Sequence, residues 1–350
     1  SLIKNPDEEY GVWRNPNPVR TDKKEDAGVI IRSFEATRAL YDADNLKQDI
    51  VLIGGFEAKN IDEETEIELN CLLDIVGKGN EEDAVIGKIK MQPGDEDYSD
   101  SITKTIEKKD KSYSLLCKFD NADVKEKLDD FKNLEGKKRS SFNGVAMLRA
   151  VYRAKTTSRL RIYTIYREQD EEELARFRSR LAKEGLLFNK RVVSETKEGS
   201  MDGFIDLKQD QPITEEGSYT IDAGLRNTRG WKGKLLKLNG ASFIVPSSDL
   251  GISVNIDENG CEDFDVNGEL KQDKLEDVNC DYNDEDDRKD CERNFDKDNI
   301  KFLCSINIEN LYKGSEPEYT YIKADFDYEY VVKKATTINF RSAEAEKEEK

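Results

Sequence analysis

The chain has 350 residues, of which 75 are acidic and 56 basic, giving a net charge of −19; 36% of residues are hydrophobic and 37% charged. At roughly 100 to 200 residues per domain this length suits two domains, and without a concentrated basic face so acidic a chain repels polyanions, which excludes nucleic acid as a partner. Histidine is absent, which removes Ser-His and Cys-His nucleophile pairs together with the commonest neutral metal ligand, so the chain is not expected to be an enzyme.

Residues 1–27 contain Pro6, Pro16 and Pro18 with little apolar periodicity and read as an extended N-terminal arm. The start at Ser1, without Met, is what a removed leader or a trimmed chain leaves. From Gly28 to residue 166 the pattern is that of strands. In TEIELNCLLDI, Thr65, Ile67, Leu69, Cys71, Leu73 and Ile75 share one face while Glu66, Glu68, Asn70 and Asp74 mostly share the other, the two-residue period of a half-buried antiparallel strand. Among these strands a short helix is expected over 122–134, with Val124, Leu128 and Phe131 on its apolar side and Gly136 as its stop. Residues 28–166 are therefore read as a first β-sandwich domain.

A helical linker is expected over 167–202. Asp170 and Glu173 have capping-box spacing, Leu174, Phe177 and Leu181 form one stripe, and Gly185 follows. A second sandwich then occupies 203–341, and a loose charged tail occupies 342–350. The second set of strands echoes the first. Gly203-Phe204-Ile205 matches Gly28-Val29-Ile30, GSYTIDAGLRN matches TEIELNCLL, and KFLCSINIEN matches SYSLLCKFDN. Ile322, Ala324 and Phe326 likewise correspond to Leu148, Ala150 and Tyr152. Near-equal offsets at both ends are the sign of a duplicated domain.

Six cysteines, Cys71, Cys117, Cys261, Cys280, Cys291 and Cys304, occur without a CxxC pair. A thiolate metal site would need four scattered residues, and free buried thiols are the other alternative; disulfides are the favoured reading and place the chain in an oxidising compartment. The hydrophilic stretch DYNDEDDRKD between Cys280 and Cys291 fits that reading, because a loop closed by covalent bonds needs no apolar content of its own. The four cysteines of the second domain allow three connectivities. Asp263, Asp265, Asn267 and Gly268 match the first half of a calcium loop, but Lys274 stands where its closing glutamate belongs. The same residues read as an Asn-Gly turn, with calcium the alternative. The acidic run Asp281, Asp284, Glu285, Asp286 and Asp287 reads as a solvated loop. Arg226, Arg229, Lys232 and Lys234 around Trp231 read as a protected strand edge, with a stacking patch for a sugar or base the alternative. No phosphate-binding loop, dinucleotide turn or N-x-[ST] sequon is present, and no apolar run reaches the ~18 residues of a membrane helix.

The combination of GVIIRSFEATRALYDADN, CERNFDKDNIKFLCSINIEN and EPEYTYIKADFDYEYVVKKATTINF resembles secreted or lipid-anchored surface proteins of small-genome archaea with tandem immunoglobulin-like domains. The resemblance implies an all-β chain of two immunoglobulin-like sandwiches at the cell surface. It also implies the pairings Cys291 with Cys304, Cys261 with Cys280, and Cys71 with Cys117. The resemblance implies place and fold more than activity; the function expected, because an open sandwich has edges that a neighbour's arm can complete by strand addition, is a subunit of an extracellular filament or surface layer, associating with its own copies through the arm. The alternative is an adhesin that recognises other surface proteins or glycans, with calcium as its accessory ion.

Overall fold

The computed structural model describes residues 28–59, 61, 64–75, 81, 83–92, 97–106, 111–135, 141–165, 170–183, 192, 194–197, 199–227, 233–245, 253–256, 261–281, 284, 287, 291, 298–311 and 318–342. The expected arm, Gly136, Gly185 and residues 343–350 of the tail lie outside them. The described chain is mostly strand, as its alternating pattern predicts. It divides into two compact units that do not follow one another along the sequence. Unit N is Asp26–Ala154, Gly230–Lys237 and Tyr328–Lys350; unit C is Ser1–Glu25, Lys155–Arg229 and Leu238–Asp327. The tandem division at 166 and 203 is thereby corrected. The physical reason is strand length: β8 (Ser141–Thr164) and β15 (Glu318–Arg341) each run 24 residues, far beyond the ~3 to 10 of an ordinary strand, so each contributes to both units. So does β12 (Gly233–Ile244).

In unit N the antiparallel order is β1 (Gly28–Ala36), β3 (Ile50–Lys59), β7 (Lys111–Phe119) and β5 (Val85–Gln92). β5 also pairs with β4 (Glu66–Asp74), and β4 with β6 (Ser101–Thr105) and β8, so the sheet curls back over its own inner face. The expected face of β4 is the buried one: Ile67, Leu69, Cys71 and Leu73 are all fully enclosed, as are Leu52, Phe56, Leu115 and Phe119 of β3 and β7. After β7 comes α1 (Asn121–Glu135), one residue longer at each end than expected; Val124 and Leu128 are buried and Phe131 meets the Phe142 ring at 5.5 Å. Asp49 Oδ1 accepts the first helical amide, that of Asn121, at 3.0 Å. The short β2 (Tyr41–Asp42) pairs in parallel with the end of β15.

Unit C contains β10 (Asp202–Leu207), β11 (Gly217–Arg226), β14 (Asn299–Glu309) and β13 (Ser253–Ile256) as a four-stranded sheet in that order, and β9 (Glu195–Lys197) pairs with β8. Helix α2 (Glu171–Lys183) begins as its sequence predicts, with Asp170 Oδ1 accepting the Glu173 amide at 2.8 Å. Its apolar stripe is not that of a free linker. Phe177 and Leu181 are buried against Tyr163 and Ile165, with Leu174 and Val192 packed beside them, which makes the helix part of the core of unit C.

The duplication is visible in strand order. The sequence β1-β3-β7-β5 recurs as β10-β11-β14-β13, and β4 beside β8 recurs as β12 beside β15. Leu52 of β3 stands opposite Cys117 of β7, and Ile221 of β11 stands opposite Cys304 of β14. Even the flanking hydrogen bonds agree: the Thr37 amide donates to Val51 O, and the Lys208 amide to Thr220 O. The expected matches of β1 with β10, β7 with β14 and β8 with β15 coincide with these positions. GSYTIDAGLR, matched to β4 by its alternation, instead occupies the place of β3; alternation fixes which face is buried but not which strand in the sheet a segment becomes.

Candidate functional site

The segment between Cys261 and Cys304 carries the residues singled out for chemistry. Asp265 organises a tight turn: its Oδ1 accepts the amides of Asn267 and Glu269, each at 2.9 Å, and its own amide donates to Glu269 O at 2.8 Å. The Glu269 amide, helped by Asn267 and Gly268, holds the Asp265 carboxyl below the usual carboxylate range. The turn then adds to β12, with the Phe243 amide donating to Gly268 O at 2.7 Å and the Leu270 amide to Ala241 O at 2.9 Å. Asp263 points elsewhere. Its Oδ2 accepts the Leu303 amide of β14 at 2.6 Å, and Lys274 Nζ stands 3.6 Å from its Oδ1. The three residues proposed for calcium are thus not converged: Asp265 and Asn267 satisfy their own turn, while Asp263 fastens the segment to β14. Lys274, the residue that spoils the calcium pattern, neutralises Asp263 instead. Among the described residues no group of three or more His, Cys, Asp or Glu is gathered as a metal site needs.

The segment continues into α3 (Gln272–Asn279), a helix the sequence reading does not contain. Asn279 completes it by a double clip, Nδ2 donating to Leu238 O and Oδ1 accepting the Leu238 amide, both at 2.7 Å. Cys280 follows in the left-handed region at φ 57°.

All six cysteines are paired: Cys71 with Cys117, Cys261 with Cys304, and Cys280 with Cys291. The first pairing agrees with the resemblance and the other two correct it. The reason is positional. Cys304 is the buried counterpart of Cys117 on β14, and Cys261 lies with its Cα 4.1 Å away, while α3 intervenes between Cys261 and Cys280. Cys280, turned by its left-handed conformation, closes on Cys291 with a Cα separation of 5.7 Å, within the reach of a disulfide. Of the acidic run this bond encloses, Asp281, Asp284 and Asp287 are described; Glu285 and Asp286 lie outside the described residues, as do Arg229, Trp231 and Lys232 of the basic patch. Arg226 of that patch is committed within the protein, its guanidinium 3.7 Å from the centre of the Phe204 ring.

A charge cluster that sequence reading missed lies on β11. Asp222 is buried, and its Oδ2 pairs with Lys208 and, at 2.8 Å, with Lys301 of β14. The one signal was an aspartate in the middle of an apolar alternation. Burial acts to raise the Asp222 carboxyl, but the hydrogen bonds from Lys208 and Lys301 outweigh it and hold the group below its ordinary value. A carboxyl whose folded pKa is depressed contributes stability above its unfolded pKa and loses that contribution as pH falls through the folded one. Asp222→Asn is therefore expected to cost about 1 to 3 kcal/mol near neutrality. In thermal melts the gap between wild type and variant should narrow below about pH 4; a gap that does not change with pH would contradict the ion-pair account. Asp120 does similar work in unit N, where hydrogen bonds from Lys88 and then Lys118 lower its carboxyl.

No family model matches the chain, and no curated protein matches it. Among solved structures, the chain is similar to the BSP domain of a biofilm-associated protein, with 10% identity and a TM-score of 0.17 over 87% of this chain and 50% of that one. The chain thus spans about half the length of that structure. It is also similar to the CupB6 tip adhesin from Pseudomonas aeruginosa, with 10% identity and a TM-score of 0.13 over 90% of this chain and 98% of that one. Scores this low carry no argument about fold or function.

Proposed function

We propose that the chain is a non-catalytic structural protein of the cell exterior, built on two immunoglobulin-like strand sets and serving as a subunit of a filament or surface layer. The observation that carries this reading is the pairing of every cysteine, with Cys117 and Cys304 at equivalent places in the duplicated sheets. Disulfides persist in oxidising surroundings, outside the cytoplasm. The use of charge supports it further: the shifted carboxylates Asp120 and Asp222 are each tied to two lysines and serve to hold strands together. Sheet edges supply a means of assembly, since among the described residues β1, β10 and β13 each have one strand neighbour.

A second reading, an adhesin for a glycan or protein, is favoured by one surface feature. Tyr319 is 38% exposed, and the Arg161 guanidinium lies 3.9 Å from its ring centre, an aromatic and cationic platform suited to an acidic sugar. Electron microscopy of purified, non-reduced protein tests the first reading, with fibres or ordered layers expected. Dispersed particles that bind a glycan array would overturn it in favour of the second.

A further inference from the structure

In unit N the register sets Asn70 of β4 opposite Arg149 of β8, with Ser101 of β6 on the other side of Asn70. The inward neighbours Leu69, Cys71, Leu148 and Ala150 are fully buried, so alternation puts Asn70 and Arg149 on the outer face, where each is half-buried. Two polar atoms of this pair are shielded from solvent without a hydrogen-bond partner: Nε of Arg149, a donor, and Oδ1 of Asn70, an acceptor. The amide is oriented by its other end, since Asn70 Nδ2 donates to Glu68 Oε1 at 3.2 Å and turning it over would set two acceptors against each other. Among the described residues no carboxylate or aromatic ring engages Arg149. Arg161, further along the same strand, does have such a contact, with the Tyr319 ring.

A guanidinium desolvated at Nε without an acceptor destabilises the folded chain, and an acceptor brought by a ligand removes that cost. What the pair lacks defines the ligand. The Nε edge of the guanidinium requires two acceptor oxygens side by side, which a carboxylate supplies in one bidentate contact. Asn70 Oδ1, on a side chain that starts about 5 Å across the strand pair, requires a donor, which a hydroxyl next to that carboxylate supplies. The adjacent outer row holds Leu72 and Ile86, the latter 61% exposed, an apolar shelf for a C–H face. Carboxylate, neighbouring hydroxyl and C–H face together describe a sugar acid. The field of a chain with net charge −19 repels a run of acids, so the site suits one acid on an otherwise neutral glycan and not a polyuronate. We propose that Asn70 and Arg149 form a binding subsite for a single uronic-acid residue of a glycan, its carboxylate on Arg149 and a hydroxyl donating to Asn70 Oδ1. The proposal rests on the second of the two readings above and gives it a site in unit N, whereas the Tyr319 platform belongs to unit C.

Ligand-observed NMR titration of the oxidised full chain with methyl glucuronide, methyl glucoside and glycolate tests this. Methyl glucuronide is expected to bind with a Kd of about 1 mM, and the other two, each lacking part of the pattern, at least about tenfold more weakly. Arg149→Met should weaken methyl glucuronide by about tenfold or more, and Arg149→Lys by less, because lysine keeps the charge but loses the paired donors. Asn70→Asp sets a carboxylate of the protein's own opposite Arg149 and should abolish binding. In thermal melts Arg149→Met should unfold at or above the wild-type temperature, since it removes an unsatisfied group. A lower melting temperature would mean that Arg149 is held within the protein, and overturns the proposal. Methyl glucoside binding as tightly as methyl glucuronide, or methyl glucuronide binding that survives Arg149→Met, overturns the site and leaves the adhesin reading intact. Glycolate binding as tightly as methyl glucuronide overturns the assignment to a sugar. A chain that binds neither methyl glucuronide nor any member of a glycan array overturns both.

Discussion

Replacing Cys71 and Cys117 together by Ala is expected to lower the stability of the oxidised protein by about 4 kcal/mol, the loop-closure value for a bond spanning 46 residues. Both sulfurs lie on fully buried positions, Cys71 on β4 and Cys117 on β7, so the bond ties the two strands through the core of unit N. The Cys261–Cys304 bond spans 43 residues and should be worth nearly as much. The Cys280–Cys291 bond closes a separation of only 11, for which the same relation gives about 3 kcal/mol. Urea unfolding of the three double-alanine variants checks the ranking, and a peptide map under non-reducing conditions checks the pairing itself. A map that joined Cys291 to Cys304 would restore the pairing implied by the family resemblance and remove the basis for ranking the three bonds by these loop lengths. The consequence for function is direct. If the structural reading is right, reduction should loosen the protein without abolishing any catalytic rate.

What the sequence makes legible follows from the range of each signal. Alternation is local, and β4 follows it through Ile67, Leu69, Cys71 and Leu73, breaking only at its end, where Asp74, expected on the polar face, is buried. Capping is local too: Asp170 caps α2 as its spacing predicts, and Val124 and Leu128 mark the inner side of α1. The partition into units was not legible, because it depends on how far β8 and β15 continue, and no residue in either marks the place where one unit gives way to the other. Cysteine pairing depends on which strand faces which, and the resemblance carried only one of the three pairs correctly. Helix α3 was hidden behind the Asp-x-Asp-x-Asn-Gly pattern, whose carboxylates are satisfied by amides of the turn and of β14. The outward side of β3 is the least legible feature. Ile53 sits in an apolar run, DIVLIGGFEA, that reads equally well as doubly buried; only the register with Glu35 and Lys90 shows that it lies on the outer face, where it is 52% exposed.

The duplication also yields a paired test in which one substitution gives opposite results at equivalent sites. Gly55 of β3 and Gly224 of β11 occupy the same register position, opposite Ser33 and Phe204 respectively. A Cβ on Gly224 would stand 2.0 Å from Ile300 O, a backbone atom of β14, and 2.8 Å from the Phe204 ring, which is itself held by Arg226. Neither neighbour can yield without breaking the β11–β14 ladder or the stack, so Gly224→Ala is expected to cost about 3 kcal/mol, the upper range of overpacking. A Cβ on Gly55 meets Ser33 Oγ at 3.1 Å and Tyr113 O at 3.5 Å, contacts that a small hydroxyl rotation accommodates. Gly55→Ala should therefore be neutral, or stabilising by up to about 1 kcal/mol, through the reduced freedom of the unfolded chain. Chemical unfolding measures both. Equal costs at the two sites would mean that the two sheets are not matched in register. The expected asymmetry follows from what stands at each site: Ile300 O and the Phe204 ring held by Arg226 leave no room for a methyl group at Gly224, whereas the nearest atom at Gly55 is a Ser33 hydroxyl that can turn away.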